Sequence, residues 1–148
     1  LTVGARGHFD LPGVEPRGGV MATLEVGGLP LRVMGVHLGL LRASRRRQLT
    51  ALNRLMAEDA AVPTLIAGDF NERSLGVGLG RLAPRFRILA GGPTHHSRPP
   101  GFALDRIAGP AGPAPAPSRG FHSPEAARAS DHLPLVADLV LRAGGEQG

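Results

Sequence analysis

Residues 65–74 read LIAGDFNERS: a short apolar run, then Gly68, then Asp69, Asn71 and Glu72 within four positions. The segment TLIAG, which follows Pro63, has the length and composition of a buried strand. Residues two apart in an extended segment share a side, so Asp69 and Asn71 point the same way off the strand end. A carboxylate can serve as a base or a hard-ion ligand, and an amide both donates and accepts hydrogen bonds. Taken alone, the same residues also read as an Asx-turn closing a strand. The rest of the chain has to decide between a turn and part of an active site.

Outward from this stretch the pattern is that of a mixed α/β sheet. Residues 19–26 alternate, with Val20, Ala22, Leu24 and Val26 on one side of a strand, and Gly27-Gly28 signals a hairpin. In LRVMGVHLGL the next strand carries Leu31, Val33, Gly35 and His37 on one face and Arg32, Met34, Val36 and Leu38 on the other. A helix is expected from about Ala43 to Ala60, with Ser44 as its cap and Leu49, Leu52 and Met56 on its apolar stripe. Residues 75–86 suggest a loop and a short helix, FALDRIAG a further strand, and LPLVADLVL a final one. The Pro- and Ala-rich stretch 109–120 reads as a surface loop and the tail AGGEQG as frayed. The order β-β-α-β-(α)-β-β fits a mixed sheet, and no internal repeat interrupts it.

Composition narrows the function classes. A chain of 148 residues is one domain's worth and can bury a core. No run is long enough to span a bilayer, and no signal-peptide pattern is visible, which points to a cytoplasmic protein. Without cysteine there is no disulfide, thiolate metal site or thiol nucleophile. Five Phe, with no Tyr or Trp, argue against a base-stacking platform. The net charge of +5 comes from Arg alone and favours anionic partners, phosphate among them. GC-rich codon usage would equally account for the absence of Lys.

Four clusters place acid, amide or imidazole groups at strand ends: His37 in GVHLGL, Asp69 and Asn71 in AGDFNE, Asp105 in ALDRIAG, and Asp131-His132 in ASDHLPL. Open α/β sheets gather ligand sites along one such edge. Ser130, Asp131 and His132 cannot form a triad among themselves, because strand neighbours face opposite sides. A carboxylate from another segment can instead fix the tautomer of His132, and Asp105 is the candidate. Each cluster has a bland alternative. His37 could be a strand histidine satisfied by a backbone carbonyl, Ser130 or Asp131 a turn cap, and Arg45-Arg46-Arg47 a solvated helix face. His95 and His96 would splay apart in an extended chain, so a metal-binding pair is the minority reading there. The chain has no G-x-S-x-G nucleophile elbow, which disfavours a serine hydrolase.

Taken in order, EPRGG (15–19), GVHLGL with Arg45 and Gln48 after it, AGDFNE (67–72), ALDRI (103–107) and ASDHLPLVA (129–137) resemble the endonuclease/exonuclease/phosphatase superfamily. The resemblance implies a deoxyribonuclease I-like four-layer α/β sandwich with mixed sheets. By that likeness Asp69 orients and deprotonates the attacking water, Asn71 holds a phosphate oxygen, and His37 and His132 contact the scissile phosphate. Asp105 would pair with His132, and Asp131 would bind Mg²⁺ or Mn²⁺. The implied activity is hydrolysis of a phosphodiester or phosphomonoester of nucleic acid, phospholipid or inositol-phosphate type. The family's Asn- and Glu-bearing N-terminal strands have no counterpart here, so the expectation is a single but N-terminally incomplete domain over 1–148. Two consequences would follow: a catalytically impaired binding module as the alternative function, and self-association through an exposed sheet edge.

Overall fold

The register between strands brings distant parts of this chain to one edge. In the computed structural model, which describes residues 1–58, 60–82, 86–89, 91–110 and 118–140, six strands form one mixed sheet in the order β1-β2-β3-β4-β6-β5. They are β1 (Thr2–Leu11), β2 (Arg17–Val26), β3 (Leu29–His37), β4 (Thr64–Asp69), β5 (Phe86–Ile88) and β6 (Asp105–Pro110). Helix α1 (Arg42–Ala57) connects β3 to β4, and those two strands are therefore parallel, while the other pairs are antiparallel. Helix α2 (Leu75–Leu79) follows β4. Further on, β7 (Arg119–Gly120) and β8 (Leu135–Val136) make a separate two-stranded ladder, with α3 (Pro124–Ala129) between them.

One face of the sheet carries the core. Met34, Val36 and Leu38 on and just after β3, Ile66 on β4 and Ala108 on β6 pack with Leu49, Leu52 and Met56 of α1 and with Phe70, Leu79 and Leu82. The apolar stripe anticipated on α1 is thus the stripe that is buried. Two glycine sites are needed by the backbone. Gly27 and Gly28 have φ of 59° and 80°, as a tight two-residue hairpin turn requires. Gly68 has φ of 141°, and a Cβ there would lie 1.9 Å from the Val36 carbonyl oxygen. Only glycine lets β4 approach β3 this closely just before Asp69.

Several sequence expectations are corrected. Residues 2–11 form β1, which TVGARGHFDL does not advertise, because every position before Phe9 is exposed. On β2 it is Met21 that packs on the core, whereas Val20, on the alternating apolar row, is 63% exposed. Ser44 does not cap α1. The N-cap is Leu41, without a side-chain cap, and Ser44 is buried inside the helix, which ends at Ala57. The start of α1 is tied down instead by Arg45 and Gln48, whose side chains bond the loop after β3. In LPLVADLVL only Leu135 and Val136 are in a strand, because a strand needs a ladder partner and only Arg119–Gly120 supplies one among the described residues. Most of the loop 109–120 and the tail from 141 lie outside the described residues.

Candidate active site

The end of β3, the end of β4 and the start of β6 meet in one row. His37 pairs with Asp69 across the parallel ladder, and Asp69 pairs with Asp105 across the antiparallel one. Directly paired residues project to the same side of a sheet with Cβ atoms about 5 Å apart. Three residues separated by up to 68 positions thus present an imidazole and two carboxylates side by side.

His132 closes over this row from a segment outside the main sheet. The segment 94–97 aligns with 131–133 through Ser97 N donating to Asp131 O and Leu133 N donating to Thr94 O. His132 Nδ1 donates to Asp105 Oδ2 at 2.8 Å, and buried Thr94 donates its hydroxyl to the same oxygen. An ionised carboxylate accepts only, so this bond places a proton on Nδ1 and leaves Nε2 facing the site. His132 Nε2 lies 3.9 Å from Asp69 Oδ2. Burial disfavours a charged imidazole here, but the Asp105 hydrogen bond and the Asp105, Asp69 and Asp131 carboxylates outweigh it, raising the His132 pKa above its ordinary value.

The carboxylate of Asp69 therefore sits between two imidazoles, with His37 Nε2 at 3.5 Å on its other side. Its Oδ1 accepts from the Asn71 backbone N–H at 2.7 Å. Asn71 adopts φ of 49°, a left-handed conformation that Asn tolerates, and its Nδ2 donates to Leu38 O. The Asx-turn and the site are the same structure: the turn orients Asp69, and the second Asn71 amide hydrogen stays available. Beside His37 an open concavity of about 540 Å³ runs over Gly18, Gly19, Gly35, Ala67 and Gly68, with Phe9 and Val20 also in its lining.

The EPRGG segment supplies two charged side chains beside the row. Arg17 starts β2 beside the row, and its Nη1 lies 3.3 Å from His37 Nε2. Glu15 accepts from Arg17 and from the Leu40 N–H, and these bonds, the Leu40 one foremost, hold its pKa below the ordinary carboxylate value. Arg45, expected on a solvated face, instead pairs with Glu72 at 3.1 Å and donates to Gly39 O. Burial raises the Glu72 pKa, but bonds from the Ser74 N–H and Arg45 outweigh this and leave it lowered. Gln48 Oε1 accepts from Gly39 N, so the loops that carry His37 and Asp69 are bound to one helix. Thr94 had no sequence signal, because its partner is set by long-range pairing.

The remaining predicted residue, Asp131, is exposed, with a 3.9 Å approach from His95 Nε2. His95 and His96 do not splay apart as their adjacency implied: their ring centroids lie 5.4 Å apart, with His95 also 4.7 Å from the His132 ring and His96 exposed. Among the described residues one group of three could hold a metal ion, namely His95, Asp131 and His132. Among the described residues the all-oxygen set that Mg²⁺ prefers is not grouped: Asp105 accepts from Thr94 and His132, and Asp69 accepts from the Asn71 N–H with two imidazoles nearby.

A mixed α/β sheet with carboxylates and imidazoles gathered at one strand edge fits the deoxyribonuclease I-like fold, and comparison with known proteins supports that class. The Endonuclease/Exonuclease/phosphatase family profile matches residues 4–132, and the chain belongs to that family. The match begins within β1 and ends at His132, so all of LPLVADLVL falls beyond it. An endonuclease/exonuclease/phosphatase family protein from Bacteroides thetaiotaomicron superposes with a TM-score of 0.73 at 15% identity, covering 90% of this chain and 63% of that one. A mannosyl-6-phosphatase from the same organism gives 0.76 at 16% identity, covering 95% and 67%. D. rerio TDP2, solved with a single-strand DNA product, gives 0.66 at 18% identity, covering 90% and 66%. The chain spans about two thirds of the length of these structures, and identities this low establish the fold. Among curated protein sequences nothing matches significantly.

Proposed function

We propose that this chain hydrolyses phosphoesters by attack of water activated at Asp69, and the observation that carries the reading is the Asp69 carboxylate set between the His37 and His132 imidazoles. A water bound to Asp69 Oδ2 loses its proton to that carboxylate as it attacks phosphorus. His132, kept protonated by Asp105, delivers a proton from Nε2 to a phosphoryl or leaving oxygen. Arg17 and His37 neutralise charge on the equatorial oxygens, and the Asn71 amide donates to one of them. His37 Nε2 can donate to the phosphate or accept from Arg17, but not both at once, so substrate binding would take the imidazole away from Arg17. The Mg²⁺ or Mn²⁺ implied by the sequence resemblance enters none of these steps, because its oxygen-rich ligand set is not assembled among the described residues. The net charge of +5 and the arginine-rich surface favour an anionic substrate, with nucleic acid one candidate among phosphodiesters.

The test is hydrolysis of bis-p-nitrophenyl phosphate and p-nitrophenyl phosphate by the purified chain. Asp69→Asn and His132→Gln are each expected to lower kcat by about 10²-fold or more, the usual worth of positioned acid–base groups. Turnover untouched by both substitutions would remove the proposal. Binding without turnover is the second reading, favoured by the incomplete oxygen ligand set. It predicts competition by phosphate for a fluorescent phosphoester probe with no product formed.

A further inference from the structure

We propose that His95, Asp131 and His132 form a binding site for a single borderline transition-metal ion, Zn²⁺ or Co²⁺, that takes the Nε2 of His132 and so blocks the hydrolytic reaction. The blocking clause rests on the phosphoesterase reading, whereas the binding clause does not.

Three donor atoms, one from each residue, lie within 4.8 Å of one another. His95 is brought there by backbone pairing, since its N–H donates to Phe102 O and it bridges to His132 as an isolated ladder pair. The His95 and His132 rings stand 4.7 Å apart, tilted by 51°. Two imidazoles and one carboxylate are the donors that Zn²⁺ and Co²⁺ prefer, while Mg²⁺ favours oxygen.

Two further observations point to an ion. His132 already carries the outer partner typical of a metal-bound histidine: its Nδ1–H bonds to Asp105, which is itself fixed by Thr94, leaving Nε2 as the donor. Among the described residues His95 has no hydrogen bond to its ring. Among those residues its Nδ1 is buried without a hydrogen-bond partner, its Nε2 has Asp131 as its one ion-pair approach, at 3.9 Å, and its ring also contacts that of His96 at 5.4 Å. A tetrahedral ion needs donors about 3.3 Å apart. Asp131 can close the difference, because its side chain is 63% exposed and makes no hydrogen bond among the described residues.

The experiment is titration of the full, metal-free chain with ZnCl₂ by calorimetry and with CoCl₂ by visible absorption. The expected result is one equivalent bound, with a d–d spectrum of four- or five-coordinate Co²⁺ that millimolar Mg²⁺ does not displace. His95→Ala is expected to weaken Zn²⁺ binding at least tenfold, and Asp105→Asn by about 10- to 100-fold through loss of the outer partner. His96→Ala, one residue away, is expected to change nothing. Circular dichroism of His95→Ala, with His95→Asn as a second variant, separates ligand loss from unfolding. Binding that survives both His95 variants, or that is lost equally in His96→Ala, would overturn the site. If the chain turns over phosphoester, Zn²⁺ should inhibit it, and His95→Ala should retain activity while losing that inhibition. Inhibition that persists unchanged in His95→Ala would overturn the blocking clause alone.

Discussion

His132 shows how one side chain acquires its task from others. Its proton affinity is raised by Asp105, Asp69 and Asp131 against the opposing effect of burial. A group whose pKa is raised by folding stabilises the fold while it is protonated. That contribution is complete below the unfolded value near 6.5 and is lost as pH rises through the folded value. In chelator-treated protein, proton NMR titration is expected to place the His132 midpoint above the unfolded value, and Asp105→Asn is expected to lower it. An unchanged midpoint in that variant would mean that Asp105 does not control the imidazole. His37, Asp69, Asn71, Asp105, Asp131 and His132 were singled out in the sequence by motifs expected at strand ends, and the structure groups them, with Asp131 exposed at the margin. Thr94 was not, Arg17 stood out only within EPRGG and His95 only as half of an adjacent pair, because their contacts depend on which distant segment folds beside them.

Among the elements, β3, β4 and α1 were legible because their apolar periodicities are strong and their buried faces match them. β1 went unassigned and the end of LPLVADLVL was misread, for opposite reasons. The first is a strand whose residues are largely exposed, so no alternation marks it. The second alternates well but finds only a two-residue ladder among the described residues. The junction of β3 and β4 carries the sharpest element-scale prediction. Gly68→Ala puts a methyl group against the Val36 carbonyl in a backbone conformation that alanine avoids. A destabilisation of about 2 kcal/mol or more is expected from that strain alone. Urea denaturation would check it, and activity should fall even in the folded fraction, because Asp69 follows directly. A variant as stable and as active as the parent would show that the close approach is not required.

At the scale of the whole molecule, the positive charge is unevenly used. Arg17, Arg45 and Arg106 lie against acids of the site region, whereas Arg46, Arg47, Arg54 and Arg81 line a separate concavity of about 540 Å³ with no acid in its lining. Helix α1 contains five arginines and no acidic residue, so its outer face has no internal counter-charge. Binding of a single-stranded oligonucleotide is therefore expected to weaken steeply with salt, and Arg46→Gln with Arg47→Gln to reduce the slope of log K against log salt by up to about 2. Hydrolysis of a small diester should be indifferent to the same pair of substitutions, and fluorescence anisotropy at several salt concentrations would show the difference. The central claim, that Asp69 and His132 act on one phosphorus as a unit, is tested most directly by a double-mutant cycle on bis-p-nitrophenyl phosphate hydrolysis. If the account holds, Asp69→Asn and His132→Gln each cost about 10²-fold or more, and the double variant is little worse than the poorer single one. Losses that multiply, or a single variant with the parent's rate, would contradict it.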